Sequence, residues 1–329
     1  MNSSCKTELE RRDIEVILNF NISKKGITKA NHPKQINWIV LKNTTKEETQ
    51  KTIDQFDLPN DIFIGSNQAE EVSRFEKLKD TNLNNSYSLV LINLSANTKE
   101  NIEFQLEPIS FVISDSLLIT YVCENSEFIE HLVEQRGQEI TNLDLLISFA
   151  IFTTYTHFIK ELQEIKKTID DLDQAARKTT ENSELFRLAD TERKIVYLDH
   201  TLQDQAETLD SLWEEKAFIS NINDEALIYD IKLSQRHANK LVRVYRDLLE
   251  TIGGLFTDMM DNNLNHLMKF LDSAGLVISI PALISGIWGM NTGGIPGKSS
   301  SFGFLIVMSL ATLLTIITAI HLKKKDYSK

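Results

Sequence analysis

The stretch GIWGMNTGGIPG, Gly286–Gly297, joins two uncharged apolar runs and decides how the rest of the chain is placed. From Ser273 to Gly297 no residue carries a formal charge, and after Lys298 a second uncharged run continues to Leu322, before Lys323, Lys324 and Lys325. Each run is near the ~20 residues a helix needs to cross ~30 Å of hydrocarbon. An asparagine and a glycine-rich turn between two such runs read as the connection between two membrane spans. The expected segments are a helix over 223–291 with its membrane part at about 271–290, a loop at 292–301, a second span at 302–322 and a basic tail at 323–329.

The N-terminal MNSSCKTELERRD is polar and lacks the apolar core of a secretory signal, so the bulk of the protein is expected to stay on the side where it is made. Two spans return the C-terminus to that side. Lys323 to Lys325 follow the second run and Lys269 precedes the first, whereas the connecting loop holds only Lys298. This bias predicts cytoplasmic termini and a place in the inner or plasma membrane. Cys5 and Cys123 are too few for a disulfide framework or a cysteine zinc site, which fits a reducing cytoplasm. A net charge of −12 argues against a nucleic-acid surface and is compatible with binding cations.

Upstream, residues 1–140 read as an α/β domain. Asp13 to Phe20, Asn37 to Leu41, Ser86 to Leu94 and Asn101 to Val122 alternate or cluster β-branched and aromatic residues, Lys46 to Phe56 reads as a helix, and a helix from Glu127 to Arg136 closes the domain. From Thr141 the chain is almost free of glycine and proline, with polar turns near Thr179 to Ser183 and Ser220 to Asp224. Residues 141–222 read as two acid-rich helices in an antiparallel hairpin, with Asp170, Asp171 and Asp173 on a solvated face.

The third long helix carries a heptad seam: Leu227, Ile231, Ser234, Ala238, Leu241, Tyr245, Leu248, Ile252, Leu255 and Met259, all but one of them apolar. No breaker separates it from the first span, so one helix on the order of 100 Å long is expected, at 1.5 Å per residue. Near the membrane a second periodicity takes over. Asn265, Met268, Asp272, Gly275, Ser279, Ala282 and Gly286 recur every three or four positions as a small or polar strip, beside bulky Leu271, Leu276, Ile278, Ile280, Leu283 and Ile287. Such a strip serves either as a packing face for the second span or as the wall of a water-filled path. An ionisable Asp272 at the membrane edge favours the path, although a purely interfacial position would also solvate it.

Gly289, Met290 and Asn291 form GMN at the end of a span, with Trp288 before it. Together with Asn265, Met268 and Lys269, Pro281 and the lysine-rich end, this resembles the CorA-type family of two-span divalent-cation channels over about Asn223 to Lys325. The resemblance implies an α+β membrane protein: a cytoplasmic α/β domain, a long helical stalk and two C-terminal spans, assembled as a homopentameric funnel around a central pore. It further implies a selectivity filter at Gly289, Met290 and Asn291, with pore-lining Asn265, Asp272, Gly275, Ser279, Ala282 and Gly286. Met268 and Leu271 match an apolar gate, and Asp230 a regulatory Mg²⁺ site between neighbouring cytoplasmic domains. For Leu271 the bland alternative is helix packing, and for Asp230 a solvated helix aspartate.

Amides suit such a filter because Mg²⁺ sheds its water reluctantly, so a pore can select it by hydrogen-bonding its first hydration shell. The expected cargo is Mg²⁺, with Co²⁺, Ni²⁺ or Zn²⁺ as alternatives. The GGIPG loop looks like that of the ZntB zinc-transporter branch, where proton coupling is open. Asp272 stands where the family often carries threonine, and the outer loop has no acid. A membrane-anchored coiled-coil scaffold is the reading of another class, and the polar strip and Asn291 speak against it. An enzyme is not expected: GxxxxGK[ST], HExxH and GxSxG are absent, and the seven histidines show no ligand spacing.

Overall fold

The computed structural model describes residues 17–30, 32–63, 71–95, 101–178, 181–295, 300 and 302–324. They fall into two compact units: the described residues up to Leu172 with Phe186–Glu250, and Asp173–Leu185 with the described residues from Thr251 onward.

The first unit is built on a seven-stranded sheet of β1 (Ile17–Ser23), β2 (Gly26–Lys29), β3 (Trp38–Lys42), β4 (Arg74–Lys77), β5 (Tyr87–Leu94), β6 (Leu106–Ile113) and β7 (Leu118–Val122). Its order is β2-β1-β3-β7-β6-β5-β4. Only β3 and β7 run parallel, with Val40 opposite Thr120. Every residue of β6 and β7 is buried. Strands covered on both faces lose the alternation of a half-exposed strand, which is why SFVI and LITYV read as continuous apolar runs. Trp38 is fully buried in β3, and its indole N–H donates to Thr120 Oγ1 on β7 at 2.9 Å, so the one polar atom of the largest core residue is satisfied.

Helix α1 (Lys46–Phe56) follows β3. Thr45 Oγ1 accepts from the Glu48 amide and Glu48 accepts from the Thr45 amide, a reciprocal cap that satisfies two orphan donors. The chain leaves α1 through Asp57 in the left-handed region, and Ile53 and Leu58 pack with Leu41, Val112 and Ile119. A short helix, α2 (Ile102–Gln105), precedes β6 in a stretch whose sequence reads as strand. Helix α3 (Phe128–Arg136) ends against the β1–β2 hairpin, where Ile27 N–H donates to the Gly137 carbonyl at 2.8 Å.

Helices α4 (Leu143–Ala176) and α5 (Asn182–Trp213) are the acid-rich pair. Each has a buried heptad track inside the unit: Tyr155, Phe158, Leu162, Ile165, Ile169 and Leu172 on α4, and Leu188, Thr191, Ile195, Leu198, Leu202, Gln205, Leu209 and Leu212 on α5. A 3-4 spacing of this kind is the seam of two helices packed lengthwise. A helix of about two turns, α6 (Lys216–Ile222), follows α5 and buries Phe218 and Ile222; the sequence reads there as helix end and turn.

Helix α7 runs unbroken over Glu225–Trp288. Of the seam expected on it, Leu227, Ile231, Ala238, Tyr245 and Ile252 are buried, but Leu248 is 38 % exposed and Leu241 and Leu255 are only half-buried. The buried second track is shifted by one position, to Val242, Leu249 and Phe256, each 2 % exposed or less. Two residues on adjacent sides of a helix can both satisfy a heptad count, and here the inner stripe is the wider one that a globular core selects. In the first unit α7 is tied to α5 by Arg246 Nη1 to Asp199 at 2.6 Å, and Lys232 lies over the Trp213 ring.

In the second unit α7 continues into its apolar half and is followed by α8 (Gly303–Lys324). Both helices are long and apolar enough to cross a membrane.

Candidate pore segment and outer loop

A hydroxyl in hydrocarbon needs a partner, and each serine or threonine with an assigned bond here uses the nearest carbonyl of its own helix. Ser279 donates to Leu276 O at 2.9 Å and Ser285 to Ala282 O at 3.0 Å, while on α8 Thr312, Thr315 and Thr318 donate to Met308, Ala311 and Leu314. With its proton turned inward, a hydroxyl such as that of Ser279 presents oxygen lone pairs outward, acceptors to which the water shell of a cation can donate. Pro281 lies inside α7 and removes the N–H that Val277 O would otherwise receive.

Each apolar helix of this unit has one shielded strip. On α7 it comprises Ser273, Val277, Ile280, Pro281, Ile284 and Trp288, all half-buried; on α8 Gly303, Val307 and Ala311 are buried and Thr315 and Thr318 half-buried. At 3.6 residues per turn, Asn265, Met268, Asp272, Gly275, Ser279, Ala282 and Gly286 fall on the other side of α7, about half a turn away. All seven are exposed. Leu271 is 58 % exposed at the flank of this strip. A Cβ added at Gly275 or Gly286 would meet no atom within 4 Å, so nothing in the chain itself requires glycine there.

The helix hydrogen bonds persist to Gly289, whose amide donates to Ser285 O at 2.9 Å, and the Met290 amide then closes a tighter, three-residue turn with a longer bond to Ile287 O at 3.3 Å. Asn291 emerges beyond this last turn, exposed with Gly289 and Met290. The loop reverses at Gly294, whose φ of +87° lies in the region that favours glycine. Lys298 lies outside the described residues. Asp230 is exposed on the first turns of α7, in the other unit. Among the described residues, no three carboxylate, histidine or cysteine side chains come together where they could hold a metal ion.

A family model described as the CorA-like Mg²⁺ transporter protein matches residues 33–324. The chain belongs to this family. The cobalt/magnesium transport protein CorA of Thermotoga maritima is 19 % identical over 329 residues, covering 97 % of this chain and 88 % of that protein. The solved structure of the complete CorA magnesium transporter from Methanocaldococcus jannaschii superposes with a TM-score of 0.76 at 16 % identity, over 93 % of this chain and 97 % of that one. The ZntB cytoplasmic domain from Vibrio parahaemolyticus matches with a TM-score of 0.55 at 14 % identity, over 77 % of this chain and all of that one. The CorA fold is therefore present in full: an N-terminal α/β domain, a long helix and two apolar C-terminal helices.

Proposed function

We propose that this CorA-family protein is a channel for Mg²⁺ in the cytoplasmic membrane, working as a homopentamer with α7 of each copy around the conduit and α8 outside. One observation carries this reading: the small and polar strip from Asn265 to Gly286 is the open side of α7, while a different strip is shielded within the chain. That disfavours the strip as the seat of the second span and leaves it for a water-filled path. A single helix offers one side chain per level, so rings of ligands arise from several copies. Asn291 supplies amide oxygens at the external mouth, with Gly289 and Met290 completing the filter. Asn265 supplies a second amide ring, and Met268 and Leu271 an apolar constriction that closes by dewetting. Asp272 places carboxylates near the cytoplasmic end of the membrane path.

Asp230, exposed and in no metal-ligating cluster among the described residues, is suited to sharing a regulatory Mg²⁺ with a neighbouring copy. Cytoplasmic termini follow from the lysine bias. The second reading keeps the architecture and changes the cargo to Zn²⁺, with or without protons, on the strength of the GGIPG loop; Co²⁺ and Ni²⁺ are further cargoes of the same chemistry. The deciding experiment loads liposomes containing the purified protein with ion-sensitive and pH-sensitive dyes and compares Mg²⁺ with Zn²⁺ entry. Mg²⁺ entry without proton movement, abolished by Asn291→Ala in a protein that still assembles, is the expected result. Zn²⁺ entry coupled to protons moves the protein to the zinc branch, and full flux through Asn291→Ala removes the asparagine from the filter.

A further inference from the structure

At one end of the sheet, between α3 and α4, a cavity of about 560 Å³ has a polar floor set by the sheet register, which places Asn93 on β5 opposite Glu107 on β6. Asn93 is 1 % and Glu107 9 % exposed. Asn93 Nδ2 donates to Glu107 Oε1, and Asn93 Oδ1 lies 2.9 Å from Nδ1 of His157 on α4. An amide oxygen only accepts, so Nδ1 carries the imidazole proton and Nε2 is a bare acceptor on a ring that lines the cavity. Phe128 stands edge-on to that ring.

This trio has two self-consistent hydrogen-bond patterns. As it stands, the carboxylate receives two donors, the Asn93 amide NH₂ and the Ser126 hydroxyl. A protonated carboxyl needs an acceptor instead. Ser126 Oγ already accepts from the Phe128 amide at 3.3 Å. Asn93 can turn its amide by half a revolution, exchanging two groups of nearly equal size, and then presents oxygen to Glu107 and NH₂ to His157. Nδ1 must now accept, so the ring proton leaves Nδ1 and one is taken up at Nε2. The trio as a whole gains one proton, the one on Glu107.

The surrounding charges decide which group takes it. Glu127 opposes a charge on Glu107, and Lys42, the cation that acts on it, is paired with Glu130 of α3. Beside it the Cys123 thiol is pushed up to about 11 by burial and by Glu107, and stays neutral. Around His157, His131 of α3 and Lys160 of α4 both oppose an imidazolium. The carboxylates of the same rim are engaged elsewhere, Glu161 with Lys194 of α5 at 3.7 Å and Glu164 with Lys167 at 2.8 Å. Burial pushes the Glu107 carboxyl above its usual range and holds the His157 imidazole below its own. As pH falls, the carboxyl protonates while the imidazole stays neutral.

We propose that Glu107, Asn93 and His157 form a proton-driven relay, in which protonation of Glu107 reverses the Asn93 amide, moves the His157 proton from Nδ1 to Nε2 and turns the cavity wall from acceptor to donor. The proposal is independent of the transport reading, because it is a property of the first unit and is read by spectroscopy. Infrared difference spectra of the full-length protein in lipid bilayers, titrated from neutral pH down to the ordinary carboxylate value of 4.5, should show a carboxyl C=O band that is lost in Glu107→Gln. Solid-state NMR of the same sample with ¹⁵N-labelled histidine should show His157, assigned by the loss of its signal in His157→Gln, passing from Nδ1–H to Nε2–H at the midpoint of that band. In Glu107→Gln a single His157 tautomer should hold across the range. In Asn93→Leu, which removes the amide at similar volume, the carboxyl band should persist without the tautomer step. The coincidence of the two midpoints is read in the unaltered protein, so the test stands even where a variant fails to fold. No Glu107 band above 4.5, a His157 that keeps its Nδ1 proton as the band appears, an imidazolium at that midpoint, or a tautomer step that survives in Glu107→Gln would overturn the proposal.

Discussion

Gly286→Ala separates the demands of the single chain from those of the assembled conduit. In the chain the added Cβ has open space on every side, as at Gly275. Replacing glycine by alanine in an exposed helix favours the helix by about 1 kcal/mol. A melting temperature equal to or above that of the parent is therefore expected. In the proposed conduit the same methyl group would project about 1.5 Å inward from each wall, the length of a carbon–carbon bond, and so take about 3 Å from the diameter. A Mg²⁺ ion with its first water shell has oxygens at about 2.1 Å, hence about 7 Å across including the water radius of about 1.4 Å. Where glycine leaves just the width that species needs, a loss of about 3 Å obstructs it. Flux into dye-loaded liposomes should fall at least about tenfold in Gly286→Ala, with the assembly unchanged by size-exclusion chromatography. Full flux at unchanged stability, persisting in Gly286→Leu, would mean that this side of α7 does not line the path and that the strip was misread.

Gly26→Ala should do the opposite, destabilising the N-terminal α/β domain by several kcal/mol: the residue has φ +96° and its Cβ would stand 2.5 Å from the Gly137 carbonyl oxygen, a backbone overlap that chemical denaturation will register. For Glu107 the sign follows from its raised folded pKa. The native state binds the proton more tightly than the unfolded chain, so stability falls as pH rises from the ordinary carboxylate value of 4.5 through the raised folded value. Glu107→Gln should therefore melt higher than the parent at neutral pH, with the difference closing below 4.5. Asp230→Ala should raise the internal Mg²⁺ concentration at which flux shuts off, measured in liposomes preloaded with graded Mg²⁺; an unchanged threshold returns Asp230 to an ordinary surface position. Asp272→Asn should alter the ratio of Mg²⁺ to Zn²⁺ flux, and an identical ion profile would place it off the path.

The two apolar helices and the turn between them were legible because hydrocarbon imposes a length and forbids charge, and few other constraints on a chain are as rigid. The strip on α7 was legible for a related reason: side chains on one helix have their spacing set by the helix alone. Elements whose existence depends on partners were not. The edge strands β2 and β4, four residues each, carry sequences such as GITK and RFEK with little periodic signal, and they are held by pairing with β1 and β5. Helix α6 is defined by the burial of Phe218 and Ile222, a tertiary fact. On α7 the sequence permitted two neighbouring tracks, and packing selected the one through Val242 and Leu249 over the one through Leu241 and Leu248. The cavity beside Glu107 was invisible for the same reason, since Asn93, Glu107 and His157 meet only through the β5–β6 register and the docking of α4.

The short edge strands also bear on assembly. A long open strand is a template on which another chain can add, and a protein that must gather several identical copies brings such templates together at high local concentration. Here both sheet margins are only four residues long. Past the end of β4, where β5 has β6 on one side and no strand on the other, the Gln205 side chain of α5 accepts the Ile92 amide at 2.8 Å and Ser73 Oγ donates to the Val90 carbonyl at 2.8 Å. Side chains thus occupy backbone groups that a neighbour's strand would need. Margins this short, with side chains on their spare backbone groups, disfavour fusion of the sheets of neighbouring copies.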